Sequence, residues 1–354
     1  MRVNRLKSLL VACLGLFSVL FFTSTMANEN KEERLDPAKL IMEHIQDAHD
    51  FHFFTLSKAD GTEFHATLPL PVIIYSNTKG FSIFSSSRFH HGHEAYNGYK
   101  LEEGKIVSEN ENEKIIDFSL SKNVVQMLLA LVLLVSLMIG IANKYKKGDG
   151  VHNAPKGWQN AVEPVIAFVR DEVAKPNLAN KYMKYLPYLL TVFFFILINN
   201  LFGLIPGSAN VTGNIAFTIV LGVISFFVII FSTNKHFWGH IFWYPGVPMI
   251  VRFLIMLPVE LLGVFTKPFA LIVRLFANMV AGHIIILSFI ALIFIFGSMN
   301  SIAGWGFSPL SVLFAVFIYL IEIMVAFIQA FIFTNLTAVF IGQAFEGGHE
   351  EEHH

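Results

Sequence analysis

Cysteine is nearly absent: Cys13 is the only one in 354 residues, which excludes an internal disulfide framework. Signatures of self-contained chemistry are missing as well. There is no GxxxxGK run followed by Ser or Thr, no HExxH and no triad-like arrangement, so no nucleotide site, cofactor or hydrolytic centre is expected in this chain. Lys and Arg number 25 against 26 Asp and Glu, a balance that gives no nucleic-acid footprint. Charge is scarcest where the chain is most apolar. Between Leu186 and Phe345 the Asp, Glu, Lys and Arg residues are only Lys235, Arg252, Glu260, Lys267, Arg274 and Glu322.

What is present is hydrocarbon. The chain is 54% apolar and 14% charged, with mean hydropathy +0.58. These values exclude an ordinary soluble domain and predict an all-α polytopic membrane protein. The chain divides into a signal peptide (1–27), an exported N-terminal region (28–122), a membrane domain (123–345) and a cytoplasmic tail (346–354). Arg2, Arg5 and Lys7 precede the apolar run Leu9 to Phe22, and Thr25-Met26-Ala27 offers small residues for cleavage before Asn28. An uncleaved anchor helix is the alternative. Cys13 ends a string that mimics a lipoprotein processing site but comes before most of the apolar core.

The region from Asn28 to Lys122 is polar and rich in histidine. Leu35 to His49 has helical apolar spacing. Leu68 to Tyr75 and Phe81 to Phe84 read as two short strands around the turn-forming cluster Ser76 to Gly80. His90, His91 and His93 have metal-ligating side chains, but no second cluster supports a site, and a solvated loop is the preferred reading.

About five transmembrane helices follow. Val124 to Ala142 is uncharged and ends at Lys144, Lys146 and Lys147, which marks the cytoplasmic side. Trp158 to Ala174 is an interfacial amphipathic helix. Leu186 to Pro206 and Asn214 to Phe231 are further spans joined by a loop without Lys or Arg. Asn199, Asn200, Asn210 and Asn214 at that end read either as the lining of an aqueous entrance or as caps and turn residues. Trp238, Trp243 and Tyr244 in the next loop suit an interfacial belt. The last two runs, Pro258 to Phe296 and Pro309 to Phe345, are over-long. The first would extend roughly 55–60 Å against a hydrocarbon core of about 30 Å, so it must tilt or bend near Pro268.

The first long run carries the most informative residues. An arginine at membrane depth costs roughly 2.5 kcal/mol or more and stays protonated, so Arg274 marks function by default. At about 100° per residue, Glu260, Lys267, Arg274 and Asn278 fall within roughly 40° of one another, a polar stripe on an oily helix. His283 points about 180° away from Arg274. On the last run Glu322 is the only charged residue, and Gln329, seven positions on, shares its face.

The words from Glu260 through Thr266-Lys267-Pro268 to Arg274-Leu275-Phe276-Ala277-Asn278-Met279 resemble subunit a of the F-type ATP synthase, over roughly Gln159 to the C-terminus. The resemblance implies a stator in a bacterial inner membrane, N-terminus exported and C-terminus cytoplasmic, packed against a c-ring and b subunits within the lipid bilayer. Protons would enter near Glu322 and His283, protonate a ring carboxylate and leave near Glu260 and Lys267. Arg274 between the two half-channels would favour the ionised carboxylate and block a direct leak, supported by Asn278 and Gln329. Compared with other members, His283 and Glu322 exchange places, as expected for two side chains sharing one task. His283 favours the proton over sodium as cargo. A secondary transporter is the alternative, but no internal repeat with matching broken helices supports it. A purely structural scaffold is a third reading.

Overall fold

The computed structural model describes residues 47–57, 63–92, 94–102, 104–110, 113–148, 157–205, 208–233 and 249–346. The expected signal peptide, nearly all of the Leu35–His49 segment, His93, the Trp238–Tyr244 belt and the tail beyond 346 lie outside them.

The N-terminal region is a small β domain. It contains β1 (Asp50–Ser57), β2 (Glu63–Pro69), β3 (Pro71–Ser76), β4 (Gly80–Ser85), β5 (Tyr99–Glu102), β6 (Lys105–Ser108) and β7 (Ile115–Asp117). The strand expected from Leu68 to Tyr75 is two strands, because Leu70 turns inward between Pro69 and Pro71, and proline supplies no ladder N–H. β1 pairs with β2, β5 with β6, and β3 lies between β4 and β7, all antiparallel. β3 alternates, so that Val72 and Ile74 point into a core with Phe89, Tyr99 and Ile106. Residues 86–92, which include His90 and His91, form a 3-10 turn.

A buried carboxylate ties the ends of this domain together. Glu113 accepts hydrogen bonds from the hydroxyls of Ser76, Thr78 (2.7 Å) and Ser108 (2.7 Å), and the Lys79 ammonium lies 4.0 Å away. The three hydroxyl donors hold its pKa down to about 2, with Lys79 adding to the effect. On the other side of the domain, His49 and Asp117 pair at 3.0 Å and bind the start of β1 to β7.

Among the described residues six longer helices follow: α1 (Lys122–Lys146), α2 (Trp158–Phe168), α3 (Tyr182–Gly203), α4 (Ile215–Ser232), α5 (Leu257–Met299) and α6 (Ser301–Glu346), with short helical pieces at Lys175–Leu178 and Met249–Val251. Among the described residues five segments are long and apolar enough to cross a membrane, with α2 and α3 counted in one of them. The chain is therefore a multi-pass membrane protein. α2 continues through a π-helical turn at Val169–Ala174. It does not rest on lipid alone. Val162, Val169, Val173 and Ala174 enter the same buried cluster as α3 and α6, and Phe168 makes tilted ring contacts with Phe327 and Phe331.

The largest departure from expectation is the connection between the two long helices. α5 has 43 residues and α6 has 46, and Asn300 alone separates them. The expected loop before Pro309 is already helical. Gly297 and Gly304 let the two backbones meet, Asn300 Oδ1 accepts from the Ile302 N–H, and Phe296 stacks on Phe307 at 4.0 Å. α5 also runs helical through Pro268.

The β domain sits on the end of the helix bundle where α1 begins. Phe51 and Leu70 pack with Val125 and Ala209. Gln126 makes both amide hydrogen bonds to the Ala209 backbone, and the Lys122 N–H donates to the Ala48 carbonyl at 2.9 Å.

The Glu113 cluster predicts acid sensitivity confined to this domain. A carboxylate held below its unfolded value of 4.5 contributes stability that is complete above that pH and lost as pH falls toward about 2. Hydrogen exchange on the full chain, corrected for intrinsic rate, should show β3 and β6 losing protection between pH 5 and about pH 2 while α6 keeps its own. Glu113→Gln should weaken β3 and β6 already at pH 7 and flatten that pH dependence.

Candidate functional site

The site is built on the hairpin of α5 and α6. Along α5, Leu271, Leu275, Met279 and Gly282 are buried. Their spacing of four, four and three puts them on one face, turned toward α4 and α6. Ile272 nests over Gly222 of α4, where any larger residue would overlap it. Arg274 lies off this buried face and is exposed. It forms no hydrogen bond or ion pair with any described residue. Asn278, one turn further, is half-buried. Glu260 and Lys267 belong to α5, but their side chains lie outside the described residues.

α6 shows the complementary pattern. Glu322, Ala326, Gln329, Ala330 and Phe333 form a buried stripe, while Ile323, Met324, Phe327 and Ile328 are exposed. Glu322 and Gln329 share the inward face. Gln329 makes no hydrogen bond to Arg274 among the described residues, so the structure does not join that expected pair. The Glu322 carboxylate lies directly against Gly282, in space that a methyl group on residue 282 would claim. Gly282 adjoins His283, and the two elements of the expected His283–Glu322 pair thus come to one place. No hydrogen bond links them.

A second set of polar groups surrounds these two. The His283 imidazole lies near the Gly203 backbone at the end of α3, and its Nε2 is buried. Asn200, fully buried, donates to the Ala326 carbonyl one turn from Glu322, at 3.2 Å. Asn199, also fully buried, bonds back to the Phe195 carbonyl. Asn210 and Asn214 are caps: they accept from the N–H groups of Gly213 and Ala216. The cap reading therefore holds for Asn210 and Asn214, while Asn199 and Asn200 donate to helix carbonyls inside the bundle.

Several of these side chains keep a buried polar atom that no described residue satisfies. They are Asn199 Oδ1, Asn200 Oδ1, Asn210 Nδ2, Thr212 Oγ1, His283 Nε2 and Glu322 Oε2. Isolated orphans of this kind cost about 1–3 kcal/mol each. Buried polar atoms of this kind are commonly satisfied by ordered water. These six belong to α3, the 208–213 connection, α5 and α6. Arg274, on the exposed side of α5, is not among them.

Sequence reasoning missed Gly282. Its signal was a glycine in the middle of a long helix next to a histidine, where alanine would favour the helix. Thr212 and Gln126 gave no signal, because their roles depend on what the 204–213 connection packs against.

Comparison with known proteins agrees with this architecture. The ATP synthase A chain family matches residues 124–342, and a domain of unknown function matches residues 40–127. The chain is 47% identical over 233 residues to a Chloroherpeton thalassium protein named ATP synthase subunit a, covering 64% of this chain and 67% of that protein. Proteins named ATP synthase subunit a 2 from Chlorobaculum tepidum and Prosthecochloris aestuarii are 46% and 47% identical over 239 residues. Each alignment covers 67% of this chain, with 66% and 72% of those proteins. The chain thus spans about two thirds of the length of these relatives.

The close contacts predict a ranking of glycine substitutions. At Gly342 a methyl would strike the Asn177 backbone carbonyl, which cannot turn aside. At Gly282 it would strike the movable end of Glu322, and at Gly263 it meets open space. Thermal unfolding of the purified chain should drop most for Gly342→Ala, by about 1–3 kcal/mol or more. The drop should be smaller for Gly282→Ala and absent for Gly263→Ala.

Proposed function

The chain belongs to the ATP synthase A chain family, and from that premise we propose how its polar groups divide the work of moving protons. It is the proton-translocating subunit a of the membrane-embedded F0 sector and has no catalytic site of its own. Family membership implies assembly with a c-ring and b subunits.

Protons enter at the end of the bundle that carries the β domain. The orientation follows from Lys144 and Lys146 at the opposite end of α1, where basic residues mark the cytoplasmic side. By that rule the N-terminal β domain is exported and the C-terminus is cytoplasmic, in a bacterial inner membrane. The inlet is the lane lined by Asn210, Thr212, Asn200 and Asn199, which leads to His283 and Glu322. These two pass the proton through water to a carboxylate on the ring. Once neutral, that carboxylate tolerates lipid.

The ring carboxylate gives up its proton after meeting the second half-channel, for which Glu260 and Lys267 are the candidates. Arg274 separates the two paths. One observation supports its role above the others: a permanent cation stands exposed on the outer surface of an apolar hairpin, with no partner among the described residues. Lipid offers it no hydrogen bond, and leaving it there costs roughly 2.5–3.5 kcal/mol. A passing row of carboxylates removes that cost, and the fixed charge favours their ionised form and releases the proton. Asn278, at the edge of the buried stripe and one turn from Arg274, supports the same contact. Gln329 lies on the inward face with Glu322 and belongs to the inlet side. The imidazole of His283 suits a proton better than sodium, since it carries a proton on one nitrogen and accepts one on the other.

Arg274→Ala should leave the complex assembled and abolish proton-driven ATP synthesis in inverted vesicles. Normal coupled synthesis by that variant would overturn the role of Arg274. A second measurement addresses the inlet. His283→Glu and Glu322→His should each reduce ATP-driven proton pumping severely. The double exchange should recover more than either alone, by about 5-fold or more, because residues sharing one function are not additive.

A further inference from the structure

We propose that one face of the β4–β3–β7 sheet docks into the headgroup layer of the bilayer leaflet at which α1 begins. The face is defined by register. Ile73 pairs with Ile83 and Tyr75 with Phe81 across β3 and β4, and Tyr75 pairs with Ile116 across β3 and β7. The Phe118 N–H donates to the Ile73 carbonyl at 2.8 Å, which carries the register one pair further. Directly opposed residues in an antiparallel sheet point to the same side. The side chains therefore form two rows, Ile83–Ile73–Phe118 and Phe81–Tyr75–Ile116.

The other side of the same strands holds Val72 and Ile74 in the domain core. This side has no cover from described residues. Ile83 is 71% exposed, Phe81 69%, Phe118 57% and Ile116 52%. A contiguous apolar face of that kind marks an interaction surface, where single exposed apolar residues would not.

Its position selects the occupant. The near edge of the sheet is fixed to the membrane span. The Leu120 N–H donates to the Pro71 carbonyl at 3.2 Å, and Leu70 packs on Val125 in the first turn of α1. Along β3 the two rows lie two and four residues from Pro71, at most about 7 and 14 Å away. The polar layer of a bilayer leaflet extends about 5–8 Å beyond the hydrocarbon core. The lower row is thus within reach of that layer at any tilt, and a sheet leaning on the leaflet brings in both. Phe118 is four residues before the span, and α1 itself presents open apolar residues such as Leu129 and Val132. Tyr75, whose ring lies 4.9 Å from that of Phe81, is the residue type that concentrates at this depth. The inference requires α1 to span the bilayer and is independent of the roles given to Arg274, Glu322 and His283.

The test uses the assembled complex in vesicles of phosphatidylethanolamine and phosphatidylglycerol with nitroxide-labelled phospholipid. In a Cys13→Ser background, a fluorophore is placed at Ile83→Cys, with Leu129→Cys on the α1 surface as the lipid reference and Lys105→Cys in β6 as the aqueous one. Quenching at Ile83→Cys should come within about twofold of the Leu129→Cys value and exceed Lys105→Cys several-fold. Quenching no greater than at Lys105→Cys would overturn the proposal. Phe118→Cys gives the same reading if Ile83→Cys fails to assemble. A photo-crosslinker at Phe81 should yield lipid adducts; a crosslink to another subunit or to a second copy of this chain would also overturn it.

Discussion

A bilayer core supplies no hydrogen bonds, and the hairpin of α5 and α6 is arranged around that constraint. Every polar side chain on it must find protein, water or another subunit. The two helices divide these choices by face. At 100° per residue, Arg274 and His283 are on opposite sides of α5. Arg274 stands on the open surface, with no partner among the described residues. His283 holds its Nε2 in the interior. Glu322 also turns inward, and the separation of a fixed cation from these two groups follows from helical geometry.

Close packing holds that separation. Apolar helices gain little from hiding from an apolar solvent, so their association depends on short contacts between small residues. Gly222 receives Ile272, Gly282 receives the Glu322 carboxylate, Gly304 meets Gly297, and Gly342 meets the Asn177 carbonyl. The side chains of Asn177 and Asn335 add a hydrogen bond of 3.0 Å between the α2 extension and α6. Thr334 and Thr337 bond to carbonyls of their own helix, so they add polarity to the buried stripe without opening it.

The β domain and the membrane helices meet at one connection, where Phe51 and Leu70 pack with Val125 and Ala209. Gln126 of α1 clamps Ala209 through both amide bonds, and the next residue, Asn210, caps the turn that follows. The mounting of the N-terminal domain and the start of that turn are therefore held by the same residues.

Hydropathy and charge scarcity in the amino-acid order sufficed for the spans, for the over-long final pair and for Arg274 as the residue to explain. Apolar run length and the cost of a buried charge act locally along the chain, so they are readable without coordinates. The facing of His283 away from Arg274 was legible for the same reason, since helical phase is a property of spacing. Other features were not. The single-residue turn at Asn300 depends on two glycines seven residues apart in sequence meeting in space. The seat of Glu322 on Gly282 depends on how two helices slide past each other. The burial of the Asn199, Asn200 and Thr212 side chains depends on what packs over them. Long-range contacts of this kind arise from packing complementarity, which no local pattern encodes.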